Sequence, residues 1–248
     1  MPTQNVNGHD MYYEEEGSGD ALVMIYGSVD GSAQIFTPHL PELSKDFHLL
    51  LPDLRGLGRS AHVHDMEPSA WVDDLGGLLD ALGIQSAHIY GGAMGSRPAL
   101  RFALDHPGRV KSLTVDWAIL ANDDDSDRQA IGNFGASVPP DRAANLKEHH
   151  GDDWAEVSDF YLRLRTSETF KQYYDLRESS KGITAPTLVL RGDTDANPEI
   201  HPLSHSILAH QNIANSWLKI YPHFRGNVAR LLQEDFRALF REFVASLG

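Results

Sequence analysis

The sequence predicts an α/β fold, built on a mostly parallel twisted sheet with helices on both faces. Two observations predict it. Short apolar runs that end at glycine or proline alternate with segments whose apolar residues recur at helical spacing. In addition, one apolar run leads directly into Gly91-Gly92 and then into a helical pattern, which is typical of a strand–turn–helix unit. We therefore expect one α/β core.

Each core element has a local signal, and the turns that separate them are marked by glycine, proline or asparagine. Asn7-Gly8 is typical of a hairpin turn, and Pro52-Asp53 and Gly83 end the elements before them. The predicted elements are, in order, strand Ala21–Tyr26, helix Ala33–Lys45, strand His48–Leu51, helix Trp71–Leu82, strand Ala87–Tyr90, helix Arg97–Leu104, strand Val110–Val115, strand Pro186–Leu190, helix Ile200–His210, strand Trp217–Tyr221 and helix Val228–Leu247.

The alternation breaks between residues 122 and 181. This segment opens with an acidic run at 123–127, which we interpret as a solvated loop, and helices are predicted around Trp154–Arg165 and Glu168–Arg177. An insertion between two sheet strands often covers the ligand-binding end of the sheet. We therefore divide the chain into a core, residues 1–121 and 182–248, and a helical cap, residues 122–181.

Composition excludes several classes of function. The chain has 248 residues and no cysteine, which rules out disulfides, thiolate nucleophiles and Cys-type metal sites and fits a reducing cytoplasm. The formal net charge of −14 would repel nucleic acid and anionic membranes. The first residues lack a signal-peptide pattern, and no window is long and apolar enough to span a membrane. We expect a cytoplasmic protein.

No cofactor is expected. The 13 histidines include His62-Val63-His64, His149-His150 and the pair His201 and His205, but none of these has the glutamate of a zinc-protease motif. The segment around Gly91 does not meet G-x-G-x-x-G, because tyrosine occupies position 90. Neither a metal nor a nucleotide site is therefore predicted, and the sequence leaves the oligomeric state open.

The strand–turn–helix unit has the layout of a nucleophile elbow, G-x-S-x-G. The chain reads Gly91-Gly92-Ala93-Met94-Gly95, so alanine occupies the position where the elbow places its nucleophile. Alanine has neither a proton to give nor a lone pair with which to attack a carbonyl carbon. A retained turn without its nucleophile is therefore predicted.

Three further motifs resemble the α/β-hydrolase superfamily, especially its esterase, haloperoxidase-like and carbon–carbon hydrolase branches. Tyr26-Gly27-Ser28 resembles the family's His-Gly oxyanion motif, and residues 52–60, PDLRGLGRS, are similar to its D-x-R-G-x-G-x-S loop. Residues 101–110 are typical of the segment after the elbow helix. The resemblance covers most of the chain outside residues 122–180 and implies an α/β-hydrolase fold.

The resemblance also implies where each catalytic group would lie. The acid would be Asp195, with Asp193 a weaker candidate, and the oxyanion hole would be the backbone N–H groups of Ser28 and Met94. The family's histidine position falls on Gly226, and the nearest histidine is His223. We predict Asp195 and His223 as acid–base residues. The residues predicted to line the pocket are Tyr26, Asp30, Trp117 and Arg225.

Three hypotheses follow for a small organic substrate. The first is a non-hydrolytic enzyme that uses the oxyanion hole and a re-recruited acid or base for elimination, cyclisation, isomerisation or decarboxylation. The second is an esterase or carbon–carbon hydrolase whose nucleophile has been changed to alanine. The third is an inactive protein that binds a ligand or partner. Replacements at both 93 and 226 favour the first, because a single trapping substitution would leave the histidine in place.

Overall fold

The computed structural model describes residues 3–122, 124–135, 137–194 and 202–248. Within these ranges the chain forms one sheet of eight strands. The strands are β1 (Thr3–Val6), β2 (His9–Glu16), β3 (Asp20–Tyr26), β4 (Phe47–Pro52), β5 (Ala87–Gly92), β6 (Val110–Asp116), β7 (Thr187–Gly192) and β8 (Ser216–Tyr221).

The strand order in the sheet is β1-β2-β4-β3-β5-β6-β7-β8. In this order, β4, β3, β5, β6, β7 and β8 run parallel to one another. Strands β1 and β2 add an antiparallel hairpin at the edge, and β2 pairs antiparallel with β4. The register aligns the carboxyl ends of the three central strands, because Gly92 pairs with both Tyr26 and Asp116. Ligands of open α/β sheets bind at this end. The predicted fold class is confirmed.

The described residues form ten α-helices, eight of them between strands and two after β8. They are α1 (Leu40–Leu43), α2 (Ala70–Ala81), α3 (Ser96–Asp105), α4 (Asp124–Asn133), α5 (Pro140–His150), α6 (Trp154–Thr166), α7 (Glu168–Tyr173), α8 (Leu203–Asn212), α9 (Val228–Leu231) and α10 (Gln233–Ala245).

Two predicted helices are interrupted in the structure, and a third, predicted over Glu168–Arg177, ends at Tyr173. The helix predicted over Ala33–Lys45 is a 3-10 helix over Ala33–His39 followed by the short α1, because Pro38 and Pro41 each lack a backbone N–H donor. The helix predicted over Val228–Leu247 is broken at Leu232, where the backbone leaves the helical region with φ −121° and ψ 58°. The break directs α9 toward the sheet end.

The sheet has an apolar cluster on each face. One contains Trp71 and Leu75 of α2 with Ile89 of β5. The other contains Phe236 and Phe240 of α10, which pack near Leu188 of β7. Burial of these side chains stabilises the two helix layers against the sheet. No described helix has the length and apolar character needed to cross a bilayer.

Helices α4 to α7 lie between β6 and β7 in the chain and form the insertion. Two of them, α5 and α4, were not predicted. The acidic run predicted as a loop begins α4 at Asp124, while Asp123 lies outside the described residues. Acidic side chains in the first turn of a helix interact favourably with the positive end of its dipole, which accounts for this difference. The division into core and cap stays a prediction.

Candidate functional site

The turn after β5 is a nucleophile elbow in geometry. Ala93 has φ 49°, in the left-handed region, and a single 3-10 turn over Ala93–Gly95 leads into α3. A β-carbon at Gly95 would lie 2.4 Å from the carbonyl oxygen of Ile25, so only glycine allows the turn to approach β3 so closely. The sequence therefore builds the strained turn and places a methyl group at its tip.

The two backbone segments predicted as the oxyanion hole lie side by side. The same β-carbon at Gly95 would lie 3.0 Å from the backbone nitrogen of Gly27, directly before Ser28. Ser28 and Met94 both line the cavity above Ala93. Two backbone N–H groups converging on one point can stabilise a developing oxyanion. Their role here stays a prediction, and the packing of the two loops is consistent with it.

A cavity of about 390 Å³ opens above Ala93 at the carboxyl end of the sheet. Its volume is in the range of small-molecule sites. Polar residues dominate its walls, and one wall comes from α5 of the insertion. The described residues that line it are Tyr26, Ser28, Asp30, Ala93, Met94, Trp117, Asn145, Gly226, Asn227, Arg230 and Leu231.

Asp30 is the acidic residue among those lining residues. Its carboxylate forms an ion pair with Arg142 of α5, and the hydroxyl of Ser28 lies 3.5 Å from its Oδ2 atom. Burial raises the pKa of Asp30, while the charge of Arg142 and the Ser28 hydroxyl oppose that rise. A carboxylate whose pKa is raised is a stronger base, which suits it to accept and return a proton. The structure thus provides a titratable group beside the predicted oxyanion hole.

Helix α5 holds the loop that carries Ser28 and Asp30. The Nδ1 atom of His150 accepts a hydrogen bond from the backbone N–H of Gly58 at 2.8 Å, so its Nε2 atom must donate to the carbonyl oxygen of Val29 at 2.7 Å. Burial lowers the pKa of His150 to about 4, which keeps this ring neutral. One imidazole thereby joins the insertion to two core loops.

The loop after β8 carries the position that the family gives to histidine. Gly226 lines the cavity with φ 133°, a backbone conformation that other residues rarely adopt. Its neighbour Asn227 caps α9, because its Oδ1 atom accepts the backbone N–H of Arg230 at 2.9 Å. The hydroxyl of Tyr90 lies 3.1 Å from the same Oδ1 atom. This loop is built around glycine and asparagine.

The predicted acid–base pair is not brought together by the described residues. His223 is exposed, has φ 56° and does not line the described part of the cavity. Arg225, which was predicted to line the pocket, is also exposed and is also absent from the described lining. Backbone N–H groups of His223 and Phe224 donate to the carboxylate of Asp193 and lower its pKa. Asp195 lies outside the described residues. The roles of Asp195 and His223 stay predictions.

The other predicted pocket residues belong to the cavity lining, and their roles stay predictions. Tyr26, Asp30 and Trp117 line the cavity, and Trp117 has φ 64° and packs under the Arg191 guanidinium, 4.9 Å from the ring centre. Burial raises the pKa of Tyr26, so its hydroxyl stays protonated.

Sequence reasoning missed the residues that α5 and α9 bring to the cavity. Asn145 belongs to a helix that was not predicted. Asn227 directly follows the position that the family gives to histidine, and Arg230 follows Asn227 by one helical turn. That spacing is the signal that could have identified Arg230, because the first turn of a helix after the last strand faces the same cavity.

The family profile described as alpha/beta hydrolase fold matches residues 20–158, more than half of the chain. The chain belongs to the α/β hydrolase fold family. The strand order, the elbow and the loop positions described above agree with this membership. The resemblance predicted from the sequence motifs is confirmed at the level of the superfamily.

Two relatives in this family carry hydrolase names. The chain is similar to a putative carbamate hydrolase RutD from Caulobacter sp. (strain K31), 35% identical over 273 aligned positions that cover 99% of this chain and 98% of the relative. It is also similar to a 2-hydroxy-6-oxo-2,4-heptadienoate hydrolase from Pseudomonas putida (strain F1), 27% identical with 97% and 92% covered.

A solved α/β hydrolase has the same fold. The enol-lactonase from Burkholderia xenovorans LB400 superposes with a TM-score of 0.74 and is 20% identical in sequence. The superposition covers 98% of this chain and 100% of the lactonase chain. At this identity the likeness supports the fold alone.

Proposed function

We propose that this α/β-hydrolase-fold protein is an enzyme that moves a proton on a small carbonyl compound without forming an acyl-enzyme intermediate. The substrate carbonyl would lie over Ala93, with its oxygen at the backbone N–H groups of Ser28 and Met94. For a carbonyl compound, isomerisation, elimination, cyclisation and decarboxylation can each proceed through an enolate, which such a site stabilises.

The conformation of Gly226 carries the proposal. In hydrolysis by a Ser-His-Asp triad, an imidazole takes the proton of the serine hydroxyl. A side chain at position 226 would have to adopt φ 133°, and its β-carbon would lie 2.5 Å from Cδ1 of Leu231. A chain that had only exchanged serine for alanine would retain a backbone suited to histidine. We therefore interpret both replacements as parts of one altered site.

Asp30 is the group that we assign to proton transfer. The carboxylate takes a proton from the carbon next to the carbonyl, and the C–H electron pair becomes the enolate double bond. The carbonyl electron pair moves to oxygen, where the two backbone N–H groups stabilise the charge. Asp30 then returns the proton to carbon or to a leaving group. Its position on the cavity wall and its raised pKa support this assignment.

Proton exchange tests the proposal without knowledge of the natural substrate. Small ketones, esters and 2-oxo acids are incubated with the protein in D₂O, and loss of the α-hydrogen signal is followed by NMR. We expect exchange with at least one compound, and a decrease of about 100-fold or more in Asp30→Asn, since general bases contribute 10²–10⁴-fold. Asp141→Asn, on the exposed side of α5, is the control.

A second candidate is a hydrolase that acts on a small organic substrate. The names of the two relatives favour it. In this case water would take the place of the missing nucleophile. Release of nitrophenol from p-nitrophenyl acetate, or cleavage of 2-hydroxy-6-oxo-2,4-heptadienoate, without any exchange of α-hydrogens in the panel would favour the hydrolase and overturn proton transfer.

A further inference from the structure

Arg230 is the unmatched cation of the cavity. Its guanidinium forms no hydrogen bond and no ion pair with any residue in the described ranges. The other charged residue of the lining, Asp30, is already paired with Arg142. Among the described lining residues, the positive charge of Arg230 is therefore not balanced by a paired carboxylate, although the whole chain has a net charge of −14.

The charge of Arg230 acts on the groups of the opposite wall. Burial raises the pKa values of Tyr26 and Asp30 and lowers that of His149 in the insertion, and the charge of Arg230 acts to lower all three. Tyr26 ends β3, Asp30 follows it in the oxyanion loop, and His149 belongs to α5. Arg230 lines the cavity and is an exposed residue, so its guanidinium is accessible to a ligand that enters there.

The polar groups next to Arg230 add donors. Asn227 is 7% exposed, and its Oδ1 atom is occupied by the backbone N–H of Arg230 and the Tyr90 hydroxyl. Its buried Nδ2 atom makes no hydrogen bond to any described residue. A buried amide donor without a partner costs free energy unless a ligand or water accepts from it. The guanidinium of Arg230 and this amide of Asn227 together provide N–H donors that suit an anion.

We infer that the substrate carries a carboxylate, which Arg230 binds while the reacting carbonyl lies over Ala93. Arginine matches the planar carboxylate with parallel N–H donors, and the contact orients the substrate before proton transfer. The inference rests on the proposed function in one respect: it takes the cavity above Ala93 as the substrate site. Arg230 then selects the substrate and Asp30 reacts with it.

Matched pairs of probes test the charge preference. Binding of acetate and benzoate is compared with that of acetamide and benzamide by ¹⁵N-detected chemical-shift titration, with shifts assigned around Ala93 and Asn227. We expect the wild type to bind each carboxylate about 10-fold or more tightly than its amide, and the preference to weaken with added salt. Arg230→Gln is expected to remove the preference and to leave amide binding unchanged.

Arg237→Gln is the matched control, because Arg237 is a half-buried arginine of α10 outside the cavity lining. Equal affinity for carboxylate and amide at the Ala93 cavity overturns the inference and leaves the proposed function standing. Carboxylate preference that survives in Arg230→Gln also overturns it. Shifts that lie away from Ala93 for all four probes overturn both the inference and the choice of this cavity.

Discussion

The carboxylate of Asp116 accepts a hydrogen bond at 2.9 Å from the backbone N–H of Ala229. This bond joins the carboxyl end of β6 to α9, and the Tyr90 hydroxyl lies 3.1 Å from the same Oδ2 atom. Asp116 is fully buried. The loop with Gly226 and Asn227 is therefore fixed from below by a carboxyl group that water does not reach.

Asp116→Asn should make the protein less sensitive to rising pH. Burial raises the pKa of Asp116 from 3.8 to about 7, although backbone N–H groups of Ala229 and Val228 oppose the rise. The folded chain thus keeps a proton that the unfolded chain loses, and folding is weakened as pH rises from about 4 to about 7. An asparagine that places its side-chain oxygen at the Oδ2 position keeps an acceptor for both the Ala229 N–H and the Tyr90 hydroxyl without this titration.

Urea unfolding at pH 5 and pH 8 measures the effect. Relative to the wild type, Asp116→Asn should gain on the order of 3 kcal/mol of unfolding free energy between these two pH values. Asp141→Asn, an exposed carboxylate, is the control. An Asp116→Asn protein whose unfolding free energy follows the wild type at both pH values would show that Asp116 is already ionised at pH 5.

The sheet and the elbow could be predicted because their signals are local. Buried parallel strands such as Ala87–Gly92 are short apolar runs, and Gly95 marks the close approach to β3. The helix ends were harder, since the break at Leu232 is set by the contact of α9 with the sheet end and not by a proline or glycine. Helix α5 was missed because two adjacent prolines at its start suggest a loop, although proline is favoured in a first turn.

The site could be located from the sequence, but its groups could not be selected. The elbow and the 26–28 segment identify one end of the sheet. Five described lining residues were named in advance as pocket or oxyanion groups: Tyr26, Ser28, Asp30, Met94 and Trp117. Arg142, Asn145 and Arg230 depend on how the insertion and α9 fold over that end. Such long-range contacts leave no pattern in a single sequence.

Gly226→His should destabilise the fold without creating an esterase. The imidazole needs a backbone with φ 133°, which costs about 1–3 kcal/mol for a residue with a β-carbon, and it also displaces Leu231. We expect a lower melting temperature for Gly226→His, and no turnover of p-nitrophenyl acetate by Ala93→Ser or by the double variant. Gly132→Ala is the control, because nothing lies within 4 Å of its added β-carbon.

The opposite outcome is equally clear. A double variant that melts with the wild type and turns over p-nitrophenyl acetate would mean that the loop accepts histidine. In that case the hydrolase candidate would replace proton transfer as the best account of the site.

Arg142→Gln should move the pH dependence of proton exchange to higher pH. The charge of Arg142 lowers the pKa of Asp30, against the larger effect of burial, so its removal lets that pKa rise further. Since Asp30 acts as a base when ionised, the acidic limb of the exchange rate should shift upward in pH. Exchange rates measured from pH 4 to pH 9 test this. Arg163→Gln, exposed on α6, is the control, and an unshifted limb would exclude Asp30 as the base.

His150→Phe should loosen the oxyanion loop and cost stability mainly above neutral pH. The pKa of His150 is lowered by burial from 6.5 to about 4, so its contribution to folding is complete above pH 6.5 and is lost as pH falls toward 4. Phenylalanine leaves the N–H of Gly58 and the carbonyl of Val29 without their partner. The expected loss is about 2–4 kcal/mol at pH 8, and less at pH 5. Urea unfolding at both pH values, together with hydrogen exchange at residues 27–31, measures the effect. His64→Phe, which changes an exposed histidine, is the control. An equal loss of unfolding free energy at both pH values would mean that His150 acts by packing and not as a neutral bridge.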